Sequence, residues 1–294
     1  MVRTKGGKVK VFYHNDLDGQ CSAAIINLVD REMGLKTRGD LTFIEIDHSD
    51  RVPVETITED ENIYIVDFSF KPEVMKEVLK ITSDVTWIDH HKTARDYDYG
   101  IQLKGIWNFE DKAMAGCELT WQYWFPDRTI PYAVRLIGDR DKWAWKCGAD
   151  TANFTTGLML YDTSPQSKVW DDLLKDSFAG GKSLLGEVIQ KGVITIEYRD
   201  NLCKDYIKNY GFETEFEGYK CYALNLQSFG SEAFGELFSK YDICIPFVFN
   251  GKDWIISLYS KTIDVGTIAK KYGGGGHTGA SGFVWKGIPF KESR

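Results

Sequence analysis

His14-Asn15-Asp16-Leu17-Asp18-Gly19 sets an imidazole and two carboxylates on alternate residues at the end of a strand-like run. A polar loop with Asp18 capping the following helix is one use for such a stretch. A cation site is the other. Two more runs end the same way. Ile63-Tyr64-Ile65-Val66 runs into Asp67, and Val85-Thr86-Trp87-Ile88 into Asp89-His90-His91. A single polar strand end is ordinary. Three in succession, if gathered on one sheet edge, would set carboxylates against one another until cations neutralised them. Carboxylate and imidazole without thiolate suit Mn²⁺ or Mg²⁺ better than structural zinc. Several carboxylates point to two ions about 3.5–4 Å apart, clamping a phosphoryl group and activating water. A fourth piece is Leu136-Ile137-Gly138-Asp139-Arg140-Asp141, where Asp139 is preferred over Asp141 as the carboxylate returned to that edge.

Of the five histidines, His14, His90 and His91 fall in these motifs and His277 in a glycine run, leaving His48 apart. Asp47-His48-Ser49-Asp50 reads as an exposed loop. The glycine run, Gly273-Gly274-Gly275-Gly276-His277, offers consecutive N–H groups that can turn toward an anion. Its alternative role is to end a helix and begin a turn. Trp143 and Trp145, just past Asp139, invite a base-stacking role, but packing is the commoner use of tryptophan and neither is assigned to the site.

The elements that must position these groups follow from hydrophobic patterning. Apolar runs at 9–13, 41–46, 63–68 and 85–89 read as strands buried on both faces. Helical spacing appears at 19–33 and at 72–81, the latter opening on proline. Alternating strand and helix predicts an α/β domain around a mostly parallel sheet, with ligands at the carboxyl ends of its strands. Residues 151–182 read as irregular and 183–209 as mostly helical. Beyond 211, strands at 221–226, 243–249 and 254–259 and helices near 234–240 and 265–271 form a smaller α/β lobe. The expected division is 1–182, a helical linker at 183–210, and 211–294.

The chain has 294 residues, 43% of them hydrophobic, and a net charge of −7, which argues against a groove tracking many phosphates. Its basic start leads straight into strand-like sequence rather than a signal-peptide run. No stretch approaches the roughly 20 apolar residues of a membrane span. The six cysteines are scattered without a CxxC pair. A reduced, cytoplasmic protein with no membrane partner is expected.

With these pieces in order, the sequence resembles the DHH phosphoesterase superfamily with its DHHA1 domain. The resemblance rests on HNDLDG (14–19), VDF (66–68), DHH (89–91), GDRD (138–141) and GGGGH (273–277), and covers nearly the whole chain. The family includes RecJ-type exonucleases, nanoRNases, cyclic-dinucleotide phosphodiesterases, and pyrophosphate or polyphosphate hydrolases. The resemblance implies an active site in the cleft between two lobes. It implies that His14 and Asp16 hold a first Mn²⁺, that Asp18, His90 and Asp139 hold a second, and that Asp67 bridges both, with Mg²⁺ as an alternative ion. His91 would contact the scissile phosphate or assist the leaving group. Asp89 would orient the histidines, and Gly274, Gly275, Gly276 and His277 would bind substrate.

Two departures stand out. One residue separates His14 from Asp16, where many nanoRNase and pyrophosphatase relatives have three; the RecJ branch is closer in this respect and often carries aspartate in place of the histidine. Relatives commonly show Ser-Leu-Arg-Ser before the glycine run. Here it reads Ser257-Leu258-Tyr259-Ser260, with Lys261 near enough in sequence to compensate. The expected activity is hydrolysis of short oligonucleotides or cyclic dinucleotides by two-metal-activated water, in a chain with room to homodimerise. A phosphoanhydride hydrolase and a silent nucleotide-binding module are the rival readings. The complete ligand set weighs against the latter.

Overall fold

A computed structural model describes residues 8–35, 41–48, 50–110, 113–175, 183–226 and 229–290. Most of the basic start and residues 176–182 of the stretch read as irregular lie outside them. The chain forms two compact units, 1–194 and 195–294.

The first unit is built on five strands, β1 (Lys8–His14), β2 (Leu41–Ile46), β3 (Glu61–Val66), β4 (Val85–Asp89) and β5 (Lys104–Trp107). They lie in the order β2-β1-β3-β4-β5, and each pairing is parallel. The side-chain period of two sorts the central strands between two cores. Val9, Val11 and Tyr13 of β1 and Tyr64 and Val66 of β3 face α1 (Leu17–Met33), α3 (Gly116–Trp124) and α4 (Tyr132–Asp141). Phe12, Ile63 and Ile65 face the opposite way, onto Met75 and Val78 of α2 (Pro72–Ile81). β3 and β4 are buried throughout, as expected of central parallel strands, whereas the edge strand β2 is half-exposed, contrary to the expectation for 41–46. β5, which has no counterpart among the expected strands, is short and contains Gly105.

Two further differences concern helices. Residues 149–158 and 169–173 form α5 (Ala149–Leu158) and α6 (Val169–Leu173) where irregular chain was expected. Their Thr, Asp and Asn residues hid the apolar contacts of Phe154, Leu158, Trp170 and Leu173 with the first core. The expected linker is a single helix, α7 (Leu184–Tyr210), and the boundary between units falls within it rather than at its ends.

The second unit carries a six-stranded sheet, β10-β11-β9-β8-β7-β6. Its strands are β6 (Gly211–Phe216), β7 (Tyr219–Leu224), β8 (Ile243–Phe249), β9 (Trp254–Tyr259), β10 (Gly275–His277) and β11 (Ala280–Trp285). Helix α8 (Val265–Lys271) covers one face over Phe216, Ile256 and Phe283. A 3-10 segment, Gly230–Ser239, packs Phe234 against Leu224 and Cys244 on the other. Among the described residues, no helix is long and apolar enough to cross a membrane.

Candidate metal centre

The strand order places a topological switch between β1 and β3: the chain leaves β1 toward β2 on one side, then returns to β3 on the other. The crevice outside the carboxyl ends of such a pair is where open α/β sheets bind ligands. His14 ends β1, with Asp16 and Asp18 just beyond it, and Asp67 follows β3. Asp89 ends the neighbouring strand β4, and His90 and His91 follow it. Residues separated by more than seventy positions thus meet because parallel strands finish on one edge.

Local structure fixes each group. Asp16, not Asp18, is the N-cap of α1, accepting the Gly19 N–H at 2.9 Å. Asp18, one turn in, is 1% exposed, and its carboxylate accepts the N–H groups of Gly116 and Cys117 at 2.7 and 2.8 Å. These belong to the first turn of α3, whose unpaired N–H groups and dipole favour an anion. Asp67 takes a left-handed backbone (φ 53°), rare outside glycine, asparagine and aspartate, and 1% of it is exposed. Gly116 makes that packing feasible, because a Cβ there would stand 2.6 Å from the Asp67 side chain.

Around Asp67 the distances are short. His90 Nε2 lies 3.2 Å from Asp67 Oδ1, 3.5 Å from Asp18 Oδ2 and 3.4 Å from Asp141 Oδ2. His14 Nδ1 lies 2.8 Å from Asp16 Oδ2 and 3.8 Å from Asp67 Oδ2. Three sets of ligand-type atoms result, each within 4.8 Å of one another: His14, Asp16 and Asp67; Asp18, His90 and Asp141; Asp67, His90 and His91. Asp67 is common to two of them.

The electrostatics show what this arrangement costs. Burial, then repulsion from Asp18, Asp16 and Asp141, pushes the Asp67 carboxyl well above its usual range. Desolvation and the charges of Asp18 and Asp16 lift Asp141 to about 8. Burial would also raise Asp16, but its hydrogen bond to His14 and that residue's charge prevail and bring it to about 2. His90 is pulled down by burial despite Asp18 nearby, which favours the neutral ring that can ligate a cation. Both carboxylate oxygens of Asp67 and Nε2 of His90 are buried without a hydrogen-bond partner. Unpaired buried polar atoms of this kind are costly unless something charged meets them. Divalent cations fit the donor set.

Asp89 serves differently. Its carboxylate accepts the N–H groups of His90 and His91 and the Ser69 hydroxyl, and contacts His91 Nδ1 at 2.7 Å. Burial pulls His91 down, but the hydrogen bond and charge of Asp89 outweigh it and hold the imidazole up at about 9.

Placement departs from sequence expectation at Asp139. Asp139 and Asp141 both lie in the last turn of α4, not at a strand end. Two residues on a helix are turned about 200° from each other, so they face opposite ways. Asp141 faces His90. Asp139, 4% exposed, accepts the Lys146 and Cys147 N–H groups at 2.8 and 3.0 Å and the Thr151 hydroxyl. His48 lies in an exposed loop, as expected, yet close to the cluster. Its ring sits 5.2 Å from that of His14, 5.9 Å from that of His91, and stacks on Phe68. β2 is parallel to β1, so its trailing loop reaches the same edge; that topology was the signal available. A cavity of about 250 Å³ opens beside His48 and His91, lined also by Arg51, Phe68, Lys71 and Tyr97.

The glycine run lies in the second unit. It ends α8 and then forms the edge strand β10, paired antiparallel with β11, with His277 exposed. Tyr259 packs beside the core around Phe234. Lys261 donates to Ser239 at 2.7 Å and lies over the Phe238 ring.

No protein-family model matches the sequence. The chain is 28% identical over 250 residues to an uncharacterized protein, R106, of Acanthamoeba polyphaga mimivirus; the match takes in 79% of this chain and 56% of that one, so it spans little more than half of the relative. Among solved structures it is similar to the pGpG-specific phosphodiesterase PggH of Vibrio cholerae (TM-score 0.54, 15% identity, covering 95% of this chain and 93% of that one). It is also similar to an exopolyphosphatase-related protein of Bacteroides fragilis (0.51, 16%, 96% and 88%). A third similarity is to exonuclease RecJ bound to manganese (0.50, 15%, 95% and 86%). At these identities the likeness is one of fold alone.

Proposed function

We propose that this chain is a two-metal phosphoesterase of the DHH type, using Mn²⁺ to hydrolyse short oligonucleotides or cyclic dinucleotides. One observation carries the reading: the buried Asp67 carboxylate, with no hydrogen-bond partner, stands between the His14–Asp16 pair and His90, 3.2 Å from His90 Nε2. Similar folds described as a pGpG phosphodiesterase and a manganese-bound RecJ support it.

In this reading His14, Asp16 and Asp67 hold one cation, and Asp18, His90, Asp141 and Asp67 the other. When bound, the cations supply charge neutralisation at the phosphate and an acidified water. The chain's own groups do the rest. The N-terminus of α3 locks Asp18 in place. Asp89 fixes the ring of His91 and keeps its proton available beside the phosphate oxygens. Asp139 is reassigned from metal ligand to the anchor of the turn after α4. Gly274, Gly275, Gly276 and His277 remain proposed substrate contacts. All six cysteines are free, as a reducing cytoplasm would keep them.

A phosphoanhydride substrate is the second reading, favoured by the likeness to the exopolyphosphatase-related protein. The test is a panel: Mn²⁺-loaded protein with dinucleotides, longer RNA and DNA, cyclic dinucleotides and pyrophosphate, products separated by chromatography. Dinucleotide cleavage that disappears in excess chelator is the expected result. Turnover undiminished by chelator, or of pyrophosphate alone, would overturn the proposal.

A further inference from the structure

The turn that follows Asp141 carries two tryptophans in a backbone conformation that their bulk disfavours. Trp143 has φ 52° and Trp145 φ 55°. Left-handed backbone is uncommon for any residue with a side chain, and is an outlier for bulky ones. Such strain persists where the surroundings over-determine it, and it clusters at ligand clamps. Here the surroundings are visible. The Asp139 carboxylate takes the N–H groups of Lys146 and Cys147, the Asp139 carbonyl takes that of Ala144 at 3.0 Å, and Lys142 pairs with Glu118.

What this turn holds in place is not core. Trp143 is 49% exposed. Its ring stands 5.0 Å from that of Trp145 at 78°, forming a corner, and the Arg140 guanidinium sits against both rings, at 4.3 and 5.0 Å. Packing, the ordinary use of tryptophan, therefore accounts for one side of Trp143 and leaves the rest in solvent. The corner begins two residues past Asp141, whose carboxylate is 3.4 Å from His90. Two residues span at most roughly 7 Å between Cα atoms, the scale that separates a nucleotide's phosphate from its base.

We infer that Trp143, braced by Arg140 and Trp145, is a stacking platform for a nucleobase of a substrate whose phosphate lies at the metal centre. The inference rests on the proposed phosphoesterase reading and narrows its substrate to base-bearing phosphates. Stacking of this kind tolerates any base, because each presents a π-face. Asp139 becomes a positioning residue: it holds the strained turn rather than a cation.

The test measures binding without turnover. Calorimetry of the Mn²⁺-loaded protein with AMP and with ribose 5-phosphate should give tighter binding of AMP. Trp143→Ala should weaken AMP by roughly 5- to 100-fold, the range of one base–aromatic stack, and move ribose 5-phosphate less than about twofold. Trp143→Phe should retain most of the preference. Trp143→Gly separates binding from packing. Glycine accepts the left-handed backbone at no steric cost, so this variant should lose the AMP preference with a melting temperature no lower than wild type. Equal affinity of wild type for the two ligands, an intact preference in Trp143→Ala, or a marked fall in melting temperature for Trp143→Gly would overturn the platform. A clear AMP preference in a protein that hydrolyses no phosphoester would leave the platform standing and sink the hydrolase reading. Dinucleotide hydrolysis without any AMP preference would do the reverse.

Discussion

The carboxyl edge of the parallel sheet and the glycine hairpin of the second unit both drew notice as candidate ligand sites, and the structure treats them differently. At the sheet edge, Asp67 and His90 are buried with unmet polar atoms, and no packing requirement explains their chemistry. In the hairpin, Gly274 has a packing explanation: a Cβ there would stand 2.1 Å from the Gly282 carbonyl. His277 beside it is exposed. A site whose residues are unexplained by the fold, and costly to it, is a stronger mark of function than one whose residues the fold itself requires.

The sharpest way to break this contrast is Asp67→Asn, a change asparagine tolerates at positive φ. Loss of the shared charge should lower phosphoester turnover on the order of 10²–10⁴-fold. The same variant in chelator should be more stable than wild type by about 1–3 kcal/mol, because a repelled buried carboxylate is gone. Calorimetric melts with chelator and with Mn²⁺ would show both signs. If the metal-free variant melts lower than wild type, the carboxylates at this edge are structural.

Asp141→Asn and Asp139→Asn form the next comparison. The first should cost on the order of 10²-fold in turnover while leaving the melt in chelator unchanged or higher. The second should destabilise the fold by about 2 kcal/mol or more, since charged acceptors to Lys146, Cys147 and Thr151 are lost. Reversed outcomes would return Asp139 to the metals.

His48→Ala should lower turnover no more than a few-fold, since its exposed ring stands beside those of His14 and His91 at centroid distances of 5.2 and 5.9 Å. A loss as large as that of Asp141→Asn would make His48 more than a neighbour of the cluster. The smallest effect is expected from His277→Ala: a few-fold rise in KM for dinucleotide with little change in kcat, the pattern of lost ground-state binding. A fall in kcat equal to that of Asp141→Asn would place His277 at the reacting centre and erase the distinction between the two regions.

Much of the sheet edge was legible because buried runs stand out and each ends abruptly on a polar residue. His14, Asp16, Asp18, Asp67 and the run Asp89-His90-His91 could be gathered onto one edge from that alone, once the strands were taken as parallel. That Asp141 rather than Asp139 faces His90 could not be read this way. It requires knowing that 132–141 is helical, since only a helix turns the two apart. β5 was invisible because four residues, one of them glycine, carry no periodic signal; its register against Thr86–Asp89 supplies its definition. α5 was missed because its polar residues outnumber the two apolar ones that touch the core, and α6 because five residues are too few to show a helical period. The exposed loop at His48 was read correctly, but its nearness to His14 and His91 shows only once that loop is seen as the trailing end of a parallel strand.

The grip of α3 on Asp18 also bears on how the protein comes into being. The N–H groups that receive this carboxylate belong to residues 98 and 99 positions later in the chain. Asp141, near His90, lies further along still. At roughly 5–20 residues per second of synthesis, β1 and its loop are complete for many seconds before their partners exist. The candidate metal centre is therefore a late product of folding, closed by contacts of high sequence separation that are slow to form. A nascent chain halted before α3 would carry HNDLDG in full and still have no place in which to hold a cation.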